Sequence, residues 1–221
     1  MIYERNVLKD VIKWKMERIL ELSYKHKLSH IGSCLTMYPI LENIYKNKQE
    51  RDIVILSAGH AGVAQYVLLE RYSNGKINAD ELIEEMGVHP ERNIEKGIHV
   101  SSGSLGTAVL VAIGFALADP SRMVYCLLSD GECAEGSVWE ALRFCTEKNL
   151  TNFRPYVNSN GYSAYDQIDR SYLEKRLVAF CPWIQVIQTQ NPEPLGGLNA
   201  HYHVLKKKEE ISEIMSSMKT T

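Results

Sequence analysis

The chain has 221 residues, 45% of them hydrophobic and 24% charged, with a formal net charge of −2 at pH 7. That composition fits one α/β domain over residues 1–221 with ample core material, and it excludes a disordered chain. So little net charge offers no basic face to nucleic acid or an anionic membrane, and any anion has to be held locally.

The opening stretch, "MIYERNVLKDVIKWK", is charged throughout, unlike a signal peptide. Residues 7–26 carry Leu8, Val11, Ile12, Ile19, Leu20 and Leu22 among lysines and glutamates, the period of an amphipathic helix. A loop, "LSHIGSC", precedes helical spacing over 35–45 and a short strand, "DIVILS", at 52–57. The loop "AGHAG" leads to helices over 61–72 and 79–86, the second announced by Asn78 as N-cap with Glu81 three residues on. Residues 87–104 have no sustained period, and a loop of that length inside a compact domain is often functional.

Residues 105–118 are almost wholly apolar but shorter than the ~20 residues of a bilayer helix, so they read as a buried helix. The run "RMVYCLLS" is the strand type that is covered on both faces in parallel sheets. Beyond an acidic turn, 138–148 look helical, "FRPYVNSN" like a strand, "YLEKRLVAF" like a helix and "WIQVIQT" like a last strand. The tail "KKKEEISEIMSSMKTT" reads as a solvated helix with a frayed end, and 206–210 as a wet face. The recurring strand–loop–helix order predicts an α/β fold with a mostly parallel sheet flanked by helices, whose ligands gather at the carboxyl ends of the strands. Five scattered cysteines without a CxxC pair suit a reducing cytoplasm.

The chemistry concentrates in "LLSDGECAEGSVWEAL" at 127–142, where Asp130, Glu132 and Glu135 fall within six positions. Asp130 ends an apolar strand, and Gly131 lets the backbone turn tightly beside it. "NSNGY" at 158–162 ends the next strand, so a parallel sheet brings Asp130 and Asn160 to one edge. A carboxylate with an amide oxygen suits Mg2+, which takes its other ligands from water and phosphate. His26 and His99 read as surface or packed histidines, and Trp139 and Phe144 as helix packing. "HYH" at 201–203 has the spacing of a metal-binding pair, without a third ligand nearby in sequence.

Taken together, these segments resemble the transketolases. "SDGECAEGSVWEAL" followed by "NSNGY" looks like that family's thiamine-diphosphate motif. "LSHIGSC", "LSAGHAG", "VHPERN" and "VSSGSLGTA" are similar to its other motifs and stand in the same order. The resemblance implies a thiamine-diphosphate-binding fold in which Asp130, the Asn160 side chain and the Tyr162 carbonyl hold Mg2+. Asn160 and Gly131 would also serve the diphosphate. It implies further that His30, His60, His89 and His201 line the cofactor and substrate channel and assist proton transfers at sugar hydroxyls, work suited to an imidazole with a pKa near neutrality. His203 is an alternative to His201.

Gly103, Ser104, Leu105 and Gly106 would form a loop and helix start beside the cofactor, where backbone amides favour an anion. Glu135 matches a glutamate at the subunit interface that connects two cofactor sites, which leaves Glu132 as a solvated bystander. Ser129 replaces a usual glycine, Ile31 and Ser104 stand in place of prolines, and the stretch between 160 and 201 is shorter than in the family.

The match does not extend to the family's second domain, which carries the aminopyrimidine pocket and an activating glutamate. The resemblance therefore implies the N-terminal subunit of a split transketolase, a cytoplasmic transferase of carbohydrate metabolism that moves a two-carbon ketol unit between sugars or sugar phosphates. It would be active only with a separate C-terminal subunit, in a heterotetramer, with no nucleic acid or membrane as partner. Two other readings remain: a catalytically degenerate regulatory or interaction subunit, and a related enzyme that adds a two-carbon branch to an activated sugar.

Overall fold

Four apolar runs form one parallel sheet in the order β1-β2-β3-β4: β1 (Ile53–Leu56), β2 (Val124–Ser129), β3 (Phe153–Ser159) and β4 (Gln185–Gln188). The computed structural model describes residues 2–218, with side chains from residue 14 onward apart from that of Asn199. Register pairs Ile53 with Val124, Val124 with Phe153 and Tyr156 with Gln185. Side chains alternate across a strand, so Ile53, Ile55, Val124, Cys126 and Leu128 enter one core layer, while Val54, Leu56 and Leu127 enter the other.

The first layer is covered by α5 (Ala108–Ala118), α6 (Gly136–Glu147) and α7 (Arg170–Phe180). The second is covered by α1 (Ile2–Lys25), α2 (Ile31–Asn47), α3 (Gly62–Tyr72), α4 (Ala79–Met86) and α8 (Glu209–Ser217). Because all four strands run the same way, their carboxyl ends share one edge, and the loops leaving them meet there. Asn78 caps α4 as its sequence indicates, its Oδ1 accepting the Asp80 N–H at 2.9 Å. Lys15 of α1 and Glu42 of α2 form a buried ion pair, and Glu42 is also met by Lys46 at 3.5 Å and Arg71 at 3.6 Å, so loss of Glu42 would strand the buried Lys15 charge.

Three expectations need correction. α2 starts at Ile31, inside the segment read as a loop, because Ile31, Cys34 and Leu35 already lie on its buried face. α5 is buried only where Ala108, Val109, Ala112, Ile113 and Ala116 meet the sheet; Leu110, Val111 and Leu117 are each nearly half exposed. The last helix is not merely solvated, since Ile211, Ile214 and Met215 are buried. The charge run before it also has internal work, as Glu210 accepts the backbone N–H groups of Lys206 and Lys207 at 2.9 and 2.8 Å. The expected frayed end, past residue 218, lies outside the described residues. All five cysteines are buried and free. No helix among the described residues is long and apolar enough to cross a membrane.

Candidate functional site

β2 delivers Asp130 to the carboxyl edge of the sheet, where its N–H continues the ladder by donating to the Asn158 carbonyl at 3.0 Å. The side chain is almost sealed from solvent, with the residue 2% exposed. Its Oδ2 accepts the Gly161 N–H at 2.6 Å and its Oδ1 the Gly131 N–H at 3.0 Å. Burial pushes the carboxyl up to about 6, against the pull of these amides. The turn after β3 is thus joined directly to Asp130. Asn160 braces that turn by accepting the Tyr162 N–H at 3.0 Å through Oδ1, which retains a second lone pair. A Cβ on Gly131 would lie 3.2 Å from the Ser163 backbone, so a larger residue here would make the turn give by a few tenths of an ångström.

These groups open onto a cavity of about 330 Å³, which His30, His60, His89 and His201 also line. His30 has a left-handed backbone (φ 61°) at the head of α2 and donates its N–H to the His201 carbonyl at 3.2 Å. Its ring centroid lies 4.4 Å from that of His201, 5.5 Å from His60 and 6.4 Å from His89. The close rings require small neighbours. A Cβ on Gly59 would stand 2.5 Å from the backbone of Ser102 and Gly103, and one on Gly103, whose φ is +134°, would stand 2.9 Å from the His89 ring.

Desolvation lowers His30 to about 4 and His60 to about 3, reinforced by the neighbouring imidazoles, and burial lowers His201 as well. His30 and His60 are therefore neutral at pH 7 rather than poised near neutrality. The Nδ1 of His30 is buried without a hydrogen-bond partner among the described residues.

His201, not His203, enters the cluster. His203 turns away to Glu210, with its Nε2 3.2 Å from the carboxylate, so the two rings of the His-x-His segment do not share a site. His26 pairs with Asp80, and His99 stacks edge-on to Phe115.

The glycine-rich loop matches its expected position only in part. Gly103 and Leu105 line the cavity, whereas Ser104 is exposed and Gly106 is buried behind it. The Gly106 N–H is already used, donating at 2.8 Å to Glu132 Oε1, so this amide is not free to bind an anion in the cavity. Glu135 is exposed and lines the cavity rim. Glu132 is no solvated bystander: it is 0% exposed and also accepts the Ser57 hydroxyl at 2.6 Å. The sequence carries no local signal for this, because neither partner lies near it in the chain.

The family described as transketolase, thiamine diphosphate binding domain, matches residues 18–215. The chain belongs to that family. One subunit of an apulose-4-phosphate transketolase from Phocaeicola vulgatus is 31% identical over 162 residues, covering 65% of this chain and 57% of its own. A 6-deoxy-6-sulfo-D-fructose transketolase subunit from a Clostridium species is 27% identical over 176 residues, covering 72% of this chain and 62% of its own. Among solved structures, transketolase from Campylobacter jejuni superposes with a TM-score of 0.71 at 20% identity, covering 95% of this chain and 41% of that one. A Pichia stipitis transketolase gives 0.72 at 17% identity, with coverage of 94% and 40%. The chain thus spans less than two thirds of the transketolase subunits, and about two fifths of the transketolases, that it matches. Its fold is that of the transketolase thiamine-diphosphate-binding domain, a parallel sheet flanked by helices.

Proposed function

We propose that this chain, as a single domain over 1–221, is the diphosphate-binding N-terminal subunit of a split transketolase-like enzyme that transfers a two-carbon ketol unit between sugars or sugar phosphates. The observation that carries the reading is Asp130, a sealed carboxylate at the end of β2, joined to the 160–162 turn at the floor of a histidine-lined cavity. Its partner would be a separate chain carrying the pyrimidine-binding domain, in a cytoplasmic heterotetramer. The two relatives that are themselves transketolase subunits support a divided architecture.

The donor set fits Mg2+. Asp130, the Asn160 amide oxygen and the Tyr162 carbonyl are hard oxygen ligands, and a cation beside Asp130 would stabilise the ionised form that burial opposes. Thiamine diphosphate, when bound, supplies the electron sink for breaking and forming the carbon–carbon bond. The chain's own residues hold the diphosphate end and orient the sugar. His30 and His60, uncharged in the free chain, would hydrogen-bond sugar hydroxyls and diphosphate oxygens together with His201 and with His89, whose ring lies 6.4 Å from that of His30.

Isothermal titration of thiamine diphosphate with Mg2+, with and without the separate subunit, tests this. Binding is expected in the complex, weakened at least about tenfold by Asp130→Ala or Asn160→Ala. Absence of binding in both mixtures would overturn the reading. Product analysis by mass spectrometry then identifies the acceptor sugar.

A further inference from the structure

Glu132 joins three segments that are far apart in the chain. Its Oε1 accepts the Ser57 hydroxyl just past β1 and the Gly106 N–H just ahead of α5, while its own N–H donates to Ser129 Oγ, at the end of β2, at 3.1 Å. Its Oε2 is buried with no hydrogen-bond partner among the described residues. A carboxylate fully inside a protein is costly unless it is well bonded, and an apolar residue would fill the space more cheaply. What the carboxylate does that an apolar side chain cannot is grip an amide and a hydroxyl at once.

The amide it grips belongs to the wall of the site. Gly106 sits at φ +74°, and two residues of its loop, Gly103 and Leu105, line the same cavity as Asp130, with Gly103 pressed against His89. Movement of Gly106 would carry that wall with it. Glu132 and Asp130 also leave the same short turn, so the grip sets the distance between the loop and the proposed Mg2+ ligand.

We propose that Glu132 is a positioning residue for the cofactor cavity: by holding the Gly106 amide against the ends of β1 and β2, it fixes the 103–106 loop beside the diphosphate. The inference rests on the reading of the cavity as a thiamine-diphosphate site.

Hydrogen–deuterium exchange on the full chain, paired with titration of thiamine diphosphate and Mg2+ into its complex with the separate subunit, tests it. Glu132→Ala is expected to speed exchange at Gly106 at least about tenfold, leave β2 and β3 protected, and weaken cofactor binding by about tenfold. Glu132→Gln keeps the oxygen used by Ser57 and Gly106, and is expected to restore both readouts. Should Glu132→Ala fail to fold, Glu132→Gln and the milder Ser57→Ala decide: the first should match the native chain, and the second should loosen the loop in part.

Native exchange at Gly106 in Glu132→Ala or, failing that, in Ser57→Ala would overturn the proposal. So would equal loosening in Glu132→Gln and Glu132→Ala, or a loosened loop with unchanged cofactor affinity. If the native complex binds no cofactor, the assignment of the site fails, and with it the cofactor role of Glu132. The exchange data then still report whether Glu132 holds the loop.

Discussion

At Asp130 the chain keeps a carboxylate out of water with backbone amides as its donors, and its pKa rises to about 6 from an ordinary 3.8. A carboxyl with a raised folded-state pKa contributes stability below its unfolded value and loses it as pH climbs through the folded one. At pH 7 the ionised group is therefore a liability that a cation would relieve. Asp130→Asn is expected to abolish the stability gain from Mg2+ and thiamine diphosphate and to leave the metal-free chain at pH 7 within about 1 kcal/mol of the native one, because relief of the buried charge is offset by an Nδ2 donor set against one of the two amide donors. Denaturant melts with and without both additives check this, and an undiminished gain from the additives in the variant contradicts it. The position of Asp130 was legible because an apolar strand ends on it. Glu132 was not legible, although it stands two residues away. The short helical turn rolls it inward toward partners 75 and 26 positions distant, a separation that no local pattern encodes. The lowered histidine pKa values were hidden for the same reason, since they arise from rings gathered out of four separate segments.

Among the elements, the 103–106 loop depends on backbone geometry as much as on side chains. Gly106 combines a positive φ with a tight fit, for a Cβ there would stand 2.7 Å from that of Glu135. Gly75 has a similar φ of +81° but nothing within 4 Å of a Cβ. Gly75→Ala is therefore expected to cost about 1 kcal/mol, for the φ alone, and Gly106→Ala about 2–4 kcal/mol, strain plus overlap. Thermal unfolding of the two variants separates these contributions, and equal losses would show that the overlap is relieved without cost. α5 illustrates the opposite limit of sequence reading. "AVLVAIGFALA" has no polar position to mark an outer face, so its apolar period cannot reveal that Leu110, Val111 and Leu117 lie outward. Leu110→Gln is expected to change stability by less than about 0.5 kcal/mol, whereas Ala112→Leu, against the sheet, costs about 1–3 kcal/mol. Chemical denaturation distinguishes the two faces.

For the molecule as a whole, parallel order was readable because strand, loop and helix recur along the chain, and parallel strands must send their carboxyl ends to one edge. Less readable was the closure of that edge by the 198–202 turn, which returns His201 to His30 through a backbone hydrogen bond across most of the sequence. This closure gives the chain a collective dependence on pH. His30 and His60 sit at about 4 and about 3 in the folded chain against an ordinary 6.5, because burial and mutual repulsion oppose their protonation. Their stabilising effect is complete above pH 6.5, and it is lost as pH falls toward those folded values, since the unfolded chain takes up protons that the folded one refuses. Asp130 works in the opposite sense between 3.8 and about 6, so it offsets part of the loss. The net expectation is a fall of roughly 1–3 kcal/mol from the two histidines between pH 6.5 and 5, with partial exposure of the rings keeping it below the full linkage value. Replacing both with asparagine should flatten this limb of the stability curve, and adding Asp130→Asn to the native histidines should steepen it. Melts at half-unit pH steps resolve the three slopes; if the double histidine variant declines as steeply as the native chain, the acid sensitivity originates outside this cluster.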